Sequence, residues 1–169
     1  MSYKHIRANK GKVGGVNDKV YTPSEMAYKL IHLLPIQPQK DFILEPCRGK
    51  GAFYDNFPTD DEHKQWCEID EGKDFFDWCG YVDWIITNPP YSIYDKFLEH
   101  CFESATNVCV LVPFSKVASS MGRIKNYKEH GFGIKKIWFV TAGKCGFKFG
   151  YPCGFIWFQR GCNDNWEIL

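Results

Sequence analysis

Residues 107–113, NVCVLVP, form an almost unbroken apolar run. A strand with one face in water alternates apolar and polar residues, whereas a strand covered on both faces reads as continuous apolar sequence. This segment therefore belongs inside a sheet that carries helices on each side. Shorter runs of the same kind precede it: FILEP at 42–46, QWCEI at 65–69 and VDWIITNPP at 82–90, the last stopping abruptly at two prolines. Helical patterns lie between and around them. In SEMAYKLIHLL, residues 24–34, Met26, Leu30, Leu33 and Leu34 share one face, and Pro35 ends the pattern. Thr22 is expected as its N-cap, Pro23 as its first helical residue and Glu25 as the acid of a capping box. Residues 92–104 read as helix and 117–130 as helix or loop. IKKIWFVT at 134–141 and PCGFIWFQ at 152–159 are close enough to pair antiparallel. The alternation predicts an α/β fold with a mostly parallel sheet and an antiparallel C-terminal hairpin. One domain over 21–169, preceded by a flexible basic arm over 1–20, accounts for all 169 residues without a repeat, a linker or a separate target-recognition domain.

Composition narrows the function classes. Aromatic residues make up 17% of the chain, more than a core of this size needs, which leaves rings for stacking on a planar ligand. No apolar run reaches the length of a membrane span, and the charged N-terminus leads into no apolar stretch, so a cytoplasmic protein is expected. The eight cysteines contain no CxxC pair and the histidines are scattered, so neither a disulfide framework nor a metal site is expected. A thiol such as Cys109 inside an apolar strand packs as a small hydrophobe.

The formal net charge of +1 conceals an asymmetry. Residues 41–77 carry eleven acids and four bases, whereas residues 115–150 carry eight bases against Glu129 alone. The first twenty residues add five bases against Asp18. Such a distribution suits a solvated basic face or contact with phosphates.

Asn88-Pro89-Pro90-Tyr91, at the end of the third strand, carries the most chemistry. An aromatic exocyclic amine is a poor nucleophile because its lone pair is delocalised into the ring. Acceptors aimed at its hydrogens draw the nitrogen toward a tetrahedral form and release that pair. The Asn88 side-chain oxygen and the Pro89 carbonyl can be two such acceptors. The prolines stiffen the loop, and this kind of catalysis is mostly positioning and preorganised dipoles. Tyr91 adds a flat face for an extruded base. A second signal is ILEPCRGKGAF at 43–53, a strand, a turn and a helix start, where Gly49 and Gly51 let backbone approach a ligand closely. It is neither a full dinucleotide-binding pattern nor a phosphate loop. Glu68, with Asp70 as the alternative, is placed at the next strand end to bind ribose hydroxyls.

The order YTPSEMA, ILEPCRGKGAF, CEID, KDFFDW, TNPPYS resembles the amino-methyltransferases, specifically the adenine-N6 DNA methyltransferases whose cofactor motif precedes an NPPY tetrad. The resemblance runs from Tyr21 to about Phe158, and the compact form resembles phage-encoded members. It implies a Rossmann-like class I methyltransferase fold and S-adenosyl-L-methionine as cofactor. Tyr21, Thr22, Pro23, Glu45, Cys47, Gly49 and Gly51 would meet the methionine end, Glu68 the ribose, and Asp74 and Phe75 the adenine. The tetrad Asn88, Pro89, Pro90, Tyr91 would hold the target adenine, with Asn88 also near the cofactor. Phe147, Phe149 or Tyr151 would close the other side of the base, and Lys116, Arg123 and Lys144 would contact nucleic acid. The short gap from Glu68 to Asp74 implies that the helix usual there is missing or reduced to a turn. RNA adenine or a protein glutamine amide are alternative substrates for such a tetrad, and an inactive cofactor- or nucleic-acid-binding domain is the alternative of another class.

Overall fold

The computed structural model describes residues 20–148 and 150–162. The expected arm, apart from Val20, and Phe149 lie outside these residues. Helix α1 (Ser24–Ile31) precedes strand β1 (Ile43–Glu45), β2 (Lys64–Trp66) and β3 (Val82–Thr87). Then come helix α2 (Tyr94–Ser104), β4 (Ala105–Pro113), the short helix α3 (Ser115–Ala118), α4 (Met121–Glu129), β5 (Phe132–Val140) and β6 (Cys153–Arg160). The strands form one six-stranded sheet in the order β2-β1-β3-β4-β6-β5. Neighbours from β2 to β4 are parallel; β6 pairs antiparallel with β4, and β5 antiparallel with β6.

Successive side chains of a strand point to opposite faces, and both faces of the central strands are covered. Leu44, Ile85, Val108, Val110, Ile156 and Phe158 pack with Phe97, Leu98, Cys101 and Phe102 of α2 and Tyr127 of α4. Ile43, Trp84, Ile86, Cys109, Leu111 and Phe155 pack with Ala27, Leu30 and Ile31 of α1 and with Phe53. This double cover is why 107–113 lacks alternation. Asn107, the polar residue that opens that run, is buried but satisfied. Its Oδ1 accepts from Trp157 Nε1 at 3.0 Å and Gln159 Nε2 at 3.1 Å, and its Nδ2 donates to the Asp83 carbonyl at 3.1 Å. A polar group that is buried must find such partners, so the trio pins the register of β4 against β6.

Two local expectations change. Thr22 is not the cap of α1: Pro23, with φ −61° and ψ 138°, stands at that position, and no side chain caps the helix. The Thr22 hydroxyl is engaged elsewhere, and Glu25 pairs with Lys29 one turn on, at 2.6 Å. Nor does an α-helix follow the glycine turn. A single 3₁₀ turn, Tyr54–Asn56, takes its place and ends before Pro58, which cannot continue a helix. Between β2 and β3 only the 3₁₀ turns Ile69–Glu71 and Phe75–Asp77 occur, as the short gap implies, so the sheet ends at β2.

The chain leaves β1 toward β2 on one side and returns to place β3 on the other. In open α/β sheets the crevice outside the carboxyl ends of the strands at such a reversal is where ligands bind. Here it lies beyond Glu45 and Thr87, between the glycine turn and the Asn-Pro-Pro-Tyr tetrad.

Candidate active site

The crevice is built from three segments. The first is the tetrad. β3 ends at the buried Thr87, and the half-buried Asn88 follows at once. Pro90 is extended (φ −68°, ψ 119°) and leads into a 3₁₀ turn that opens α2. The Tyr91 hydroxyl lies 2.7 Å from Asn88 Oδ1 and 3.3 Å from the Leu111 carbonyl of β4. Lys116 of α3 donates from Nζ to the Tyr91 carbonyl at 3.0 Å. Lys116, expected at nucleic acid, thus holds the tetrad's turn in place. Phe147 is buried with its ring 6.0 Å from that of Tyr91, while Tyr151 is 69% exposed at the foot of β6.

The second segment is the glycine turn after β1. Gly49 and Gly51 have φ of 54° and 82°, values that L side chains adopt only with strain. The Cys47 thiol lies 2.7 Å from Thr87 Oγ1 and donates to the Asn88 carbonyl at 3.2 Å, joining the turn to the tetrad. Burial pushes that thiol far above its ordinary value, so it stays protonated. Glu68 accepts from the Gly49 N–H at 2.6 Å and from the Asp70 N–H at 3.1 Å, which brings its carboxylate, rather than the exposed Asp70, onto the turn. Asp74 accepts from the Phe76 N–H at 3.1 Å and lines a groove of about 520 Å³ along the outer edge of β2, with Tyr54, Trp66, Lys73 and Trp78. Phe75 departs from expectation. It is 3% exposed, its ring enclosed by Phe97 at 5.0 Å and His100 at 4.5 Å, so it offers no open face to a planar ligand.

Glu45 is 2% exposed at the end of β1 and accepts from the Tyr54 N–H at 2.7 Å. Burial, partly offset by that hydrogen bond and by Arg48, raises its carboxyl well above the ordinary 4.5. An acid raised in this way contributes stability that is complete below about pH 4.5 and is lost as pH climbs through its folded value. Glu45→Gln keeps the acceptor and removes the charge. Its melting temperature should match the parent at pH 4 and exceed it increasingly toward pH 8, by about 3 °C for each kcal/mol relieved. Melts across that range that show no pH-dependent divergence would refute the assignment.

The third segment, residues 20–23, lies across the crevice. Asn88 Nδ2 donates to the Val20 carbonyl at 3.1 Å and to Thr22 Oγ1 at 3.2 Å, and Thr22 is buried. The Tyr21 ring lies against Gly49, where an added Cβ would sit 3.3 Å from it, and the Lys50 ammonium is 4.7 Å from its centroid. The Tyr21 carbonyl and Pro23 lie against Gly146 of the turn after β5. Val20, Thr87, Leu111 and Gly146 are the site members to which the motifs assign no role. Three of them act through backbone or through the lack of a side chain.

The basic segment divides. Arg123 is occupied by Asp95 of α2, donating from Nε at 2.5 Å and from an Nη at 2.7 Å; its other Nη donates to the Lys116 carbonyl at 2.9 Å and to Ser119 Oγ. It fastens α4 to α2 rather than offering its charge outward, which corrects its expected role. The pairing holds the Asp95 carboxyl below its usual range. Lys144 and Lys148 are exposed. Among the described residues no group of three or more His, Cys, Asp and Glu side chains could hold a metal ion, and no helix is long and apolar enough to cross a membrane. All eight cysteines are free thiols, five of them buried.

No protein-family model matches the sequence, and no curated protein matches it. Solved structures do match in fold. One is a Listeria monocytogenes protein assigned as a class I S-adenosylmethionine-dependent methyltransferase, with a TM-score of 0.66 and 15% identity over 95% of this chain and 67% of that one. A Pyrococcus horikoshii protein assigned as an RNA methyltransferase matches with a TM-score of 0.61 and 15% identity, over 94% of this chain and 99% of that one. The M protein of the type I restriction enzyme EcoKI matches with a TM-score of 0.62 and 13% identity over 96% of this chain, which spans 48% of that protein. The chain has the class I methyltransferase fold: a mostly parallel six-stranded sheet in which β6, between β4 and β5, runs antiparallel.

Proposed function

We propose that this chain transfers a methyl group from S-adenosylmethionine to an exocyclic amine, N6 of adenine in DNA. The observation that carries the proposal is the Asn88 amide at the carboxyl end of β3, with its nitrogen held by two acceptors and its oxygen turned toward Tyr91. A carbonyl oxygen has two acceptor positions, so Oδ1 keeps capacity for an incoming N–H beside the Tyr91 hydroxyl. With the Pro89 carbonyl it supplies the pair of acceptors that an aromatic amine needs before its lone pair can attack. The cofactor, when bound, supplies an electrophilic methyl group on a sulfonium.

The donor set fits that group. Glu45 is a buried carboxylate raised by desolvation, a state that an arriving cation relieves, and the cofactor carries an ammonium and a sulfonium. Glu68 presents a carboxylate at the lip of the glycine turn, suited to vicinal hydroxyls. Asp74 borders a groove with aromatic walls, suited to the amino group of a planar base. Tyr91, with Phe147 behind it, offers the half-buried ring for the target base.

Nucleic acid would meet the exposed cations around the mouth. Lys144→Ala should lower binding at every sequence and flatten the dependence of log K on log salt by roughly one unit, as loss of one phosphate contact does. Arg123→Ala should leave that slope unchanged while lowering the melting temperature, because its charge is spent on Asp95. Fluorescence anisotropy over a salt series separates the two; a slope altered by Arg123→Ala and not by Lys144→Ala would reverse the assignment.

The EcoKI M protein is one support for DNA. The Pyrococcus horikoshii neighbour, covered over 99% of its length, supports RNA as a second reading. Incubation with S-adenosylmethionine and duplex DNA, single-stranded DNA or total RNA, followed by digestion and mass spectrometry of the nucleosides, decides. N6-methyladenine in DNA alone is the expected product. The same product in RNA alone retains the chemistry and changes the substrate. No methylated base despite measurable cofactor binding would overturn the proposal in favour of a binding domain or a protein substrate.

A further inference from the structure

We infer that residues 20–22 form an orienting clamp for Asn88, with Thr22 as a positioning residue for amine activation. The inference rests on the proposed role of Asn88 in holding an amine. A side-chain amide has two faces of opposite polarity, and only the orientation that presents oxygen to the amine hydrogens assists attack. With the amide flipped, an NH2 group would face the amine's own hydrogens. The Val20 carbonyl settles the polarity, because it accepts and cannot donate. The group 3.1 Å from it must be Nδ2, since an oxygen there would put two lone pairs in contact. Thr22 Oγ1, buried and 3.2 Å away, takes the second hydrogen of Nδ2 and fixes the plane of the amide. The Asn88 amide nitrogen is then engaged by Val20 and Thr22, and Oδ1 is turned to the Tyr91 hydroxyl with a second acceptor position for an amine hydrogen.

This gives the buried Thr22 hydroxyl a task other than contact with a methionine moiety or capping of α1. The clamp reaches its target because the glycine turns leave room for it. Tyr21 lies against Gly49 on one flank and Gly146 on the other, so residues 20–23 are held over Asn88 from both sides.

The test compares Thr22→Val, which has the shape of threonine without the acceptor, with Thr22→Ser, which restores it. Steady-state kinetics on the methylated nucleic acid and calorimetric titration of S-adenosylmethionine are read together. Thr22→Val should lower kcat about tenfold, the effect of one lost hydrogen bond at the reacting group. Cofactor affinity should stay within about twofold, and Thr22→Ser should recover most of the rate. A Thr22→Val protein with weakened cofactor affinity and unaltered kcat would assign Thr22 to the cofactor and overturn the clamp. Equal loss in both variants would show that the hydroxyl is not the acting group. A third measurement needs no turnover. In ¹⁵N-labelled protein the Asn88 side-chain amide protons should be protected from solvent exchange, and Thr22→Val should expose one of them. Protection that is absent, or unaffected by Thr22→Val, sinks the clamp even where the parent transfers methyl groups. Protection lost in Thr22→Val while the parent methylates no amine supports the clamp and rejects the amine-transfer reading.

Discussion

Asn88→Ala should reduce methyl transfer by at least about 10²–10³-fold in kcat while changing the dissociation constant of S-adenosylmethionine by no more than about twofold. Removing a preorganised dipole from a reacting centre has effects of that size, because the dipole is already aimed when charge develops and needs no rearrangement. The structure adds a reason for the separation of the two effects. The contacts of the Asn88 side chain run to Val20, Thr22 and Tyr91, whereas Glu45 and Glu68 are held by Tyr54 and Gly49. Loss of the amide therefore leaves the glycine turn as it is. Single-turnover rates and calorimetry on the same preparation give both numbers. Transfer at the parental rate would remove Asn88 from the mechanism, and with it the pairing of acceptors at the amine.

Gly146→Ala should be the most damaging change outside the tetrad. Gly146 has φ 86°, which any L residue adopts with strain, and a Cβ there would stand 2.5 Å from the Tyr21 carbonyl oxygen. Backbone carbonyls do not swing aside as side-chain tips do. Either the turn after β5 or residues 20–23 must shift, and the latter carry the contacts to Asn88. The strain and the displaced segment together should lower stability by about 2–3 kcal/mol. The melting temperature should fall by about 2–4 °C per kcal/mol, and activity should fall further than stability alone explains. Gly143→Ala, in the same turn but with open space around its Cβ and no positive φ, is the control and should behave like the parent. Calorimetric melts and rates on the two variants make the comparison. Equal behaviour would mean that the approach of Tyr21 to Gly146 is not maintained in solution.

The parts legible in the sequence were those set by local patterns. The apolar run at 107–113 reads as a doubly covered strand because burial on both faces leaves no place for alternation. The tetrad is visible because two consecutive prolines after an apolar strand fix its end. Partners far apart in the chain were not visible. Arg123 reads as a phosphate contact because it lies in the basic stretch 115–150, whereas its partner Asp95 lies 28 residues away on α2. Phe75 looked like a platform for a base because Phe97 and His100, which enclose it, come from the next helix. Thr22 satisfied the local rule for a helix cap, yet a contact spanning 66 residues outweighs that rule. Val20 carried no signal, since its carbonyl does the work and every residue has one.

The position of residues 20–23 also bears on the order in which the molecule comes together. Their contacts span 68 positions to Asn88 and, by subtraction from the residue numbers, 125 to Gly146. Closing loops of that length is entropically slow compared with zipping neighbouring strands. The pairings within the sheet span at most 52 positions, from Asn107 to Gln159, but the amide of Asn88 acquires its orientation only after the turn beyond β5 exists and the first described residues have come back across it. Competence to react is then among the last properties the chain gains on folding. It is also among the first lost when the structure loosens, since a local opening of residues 20–23 leaves the core closed. Warming or mild denaturant should therefore silence the molecule well before its sheet melts.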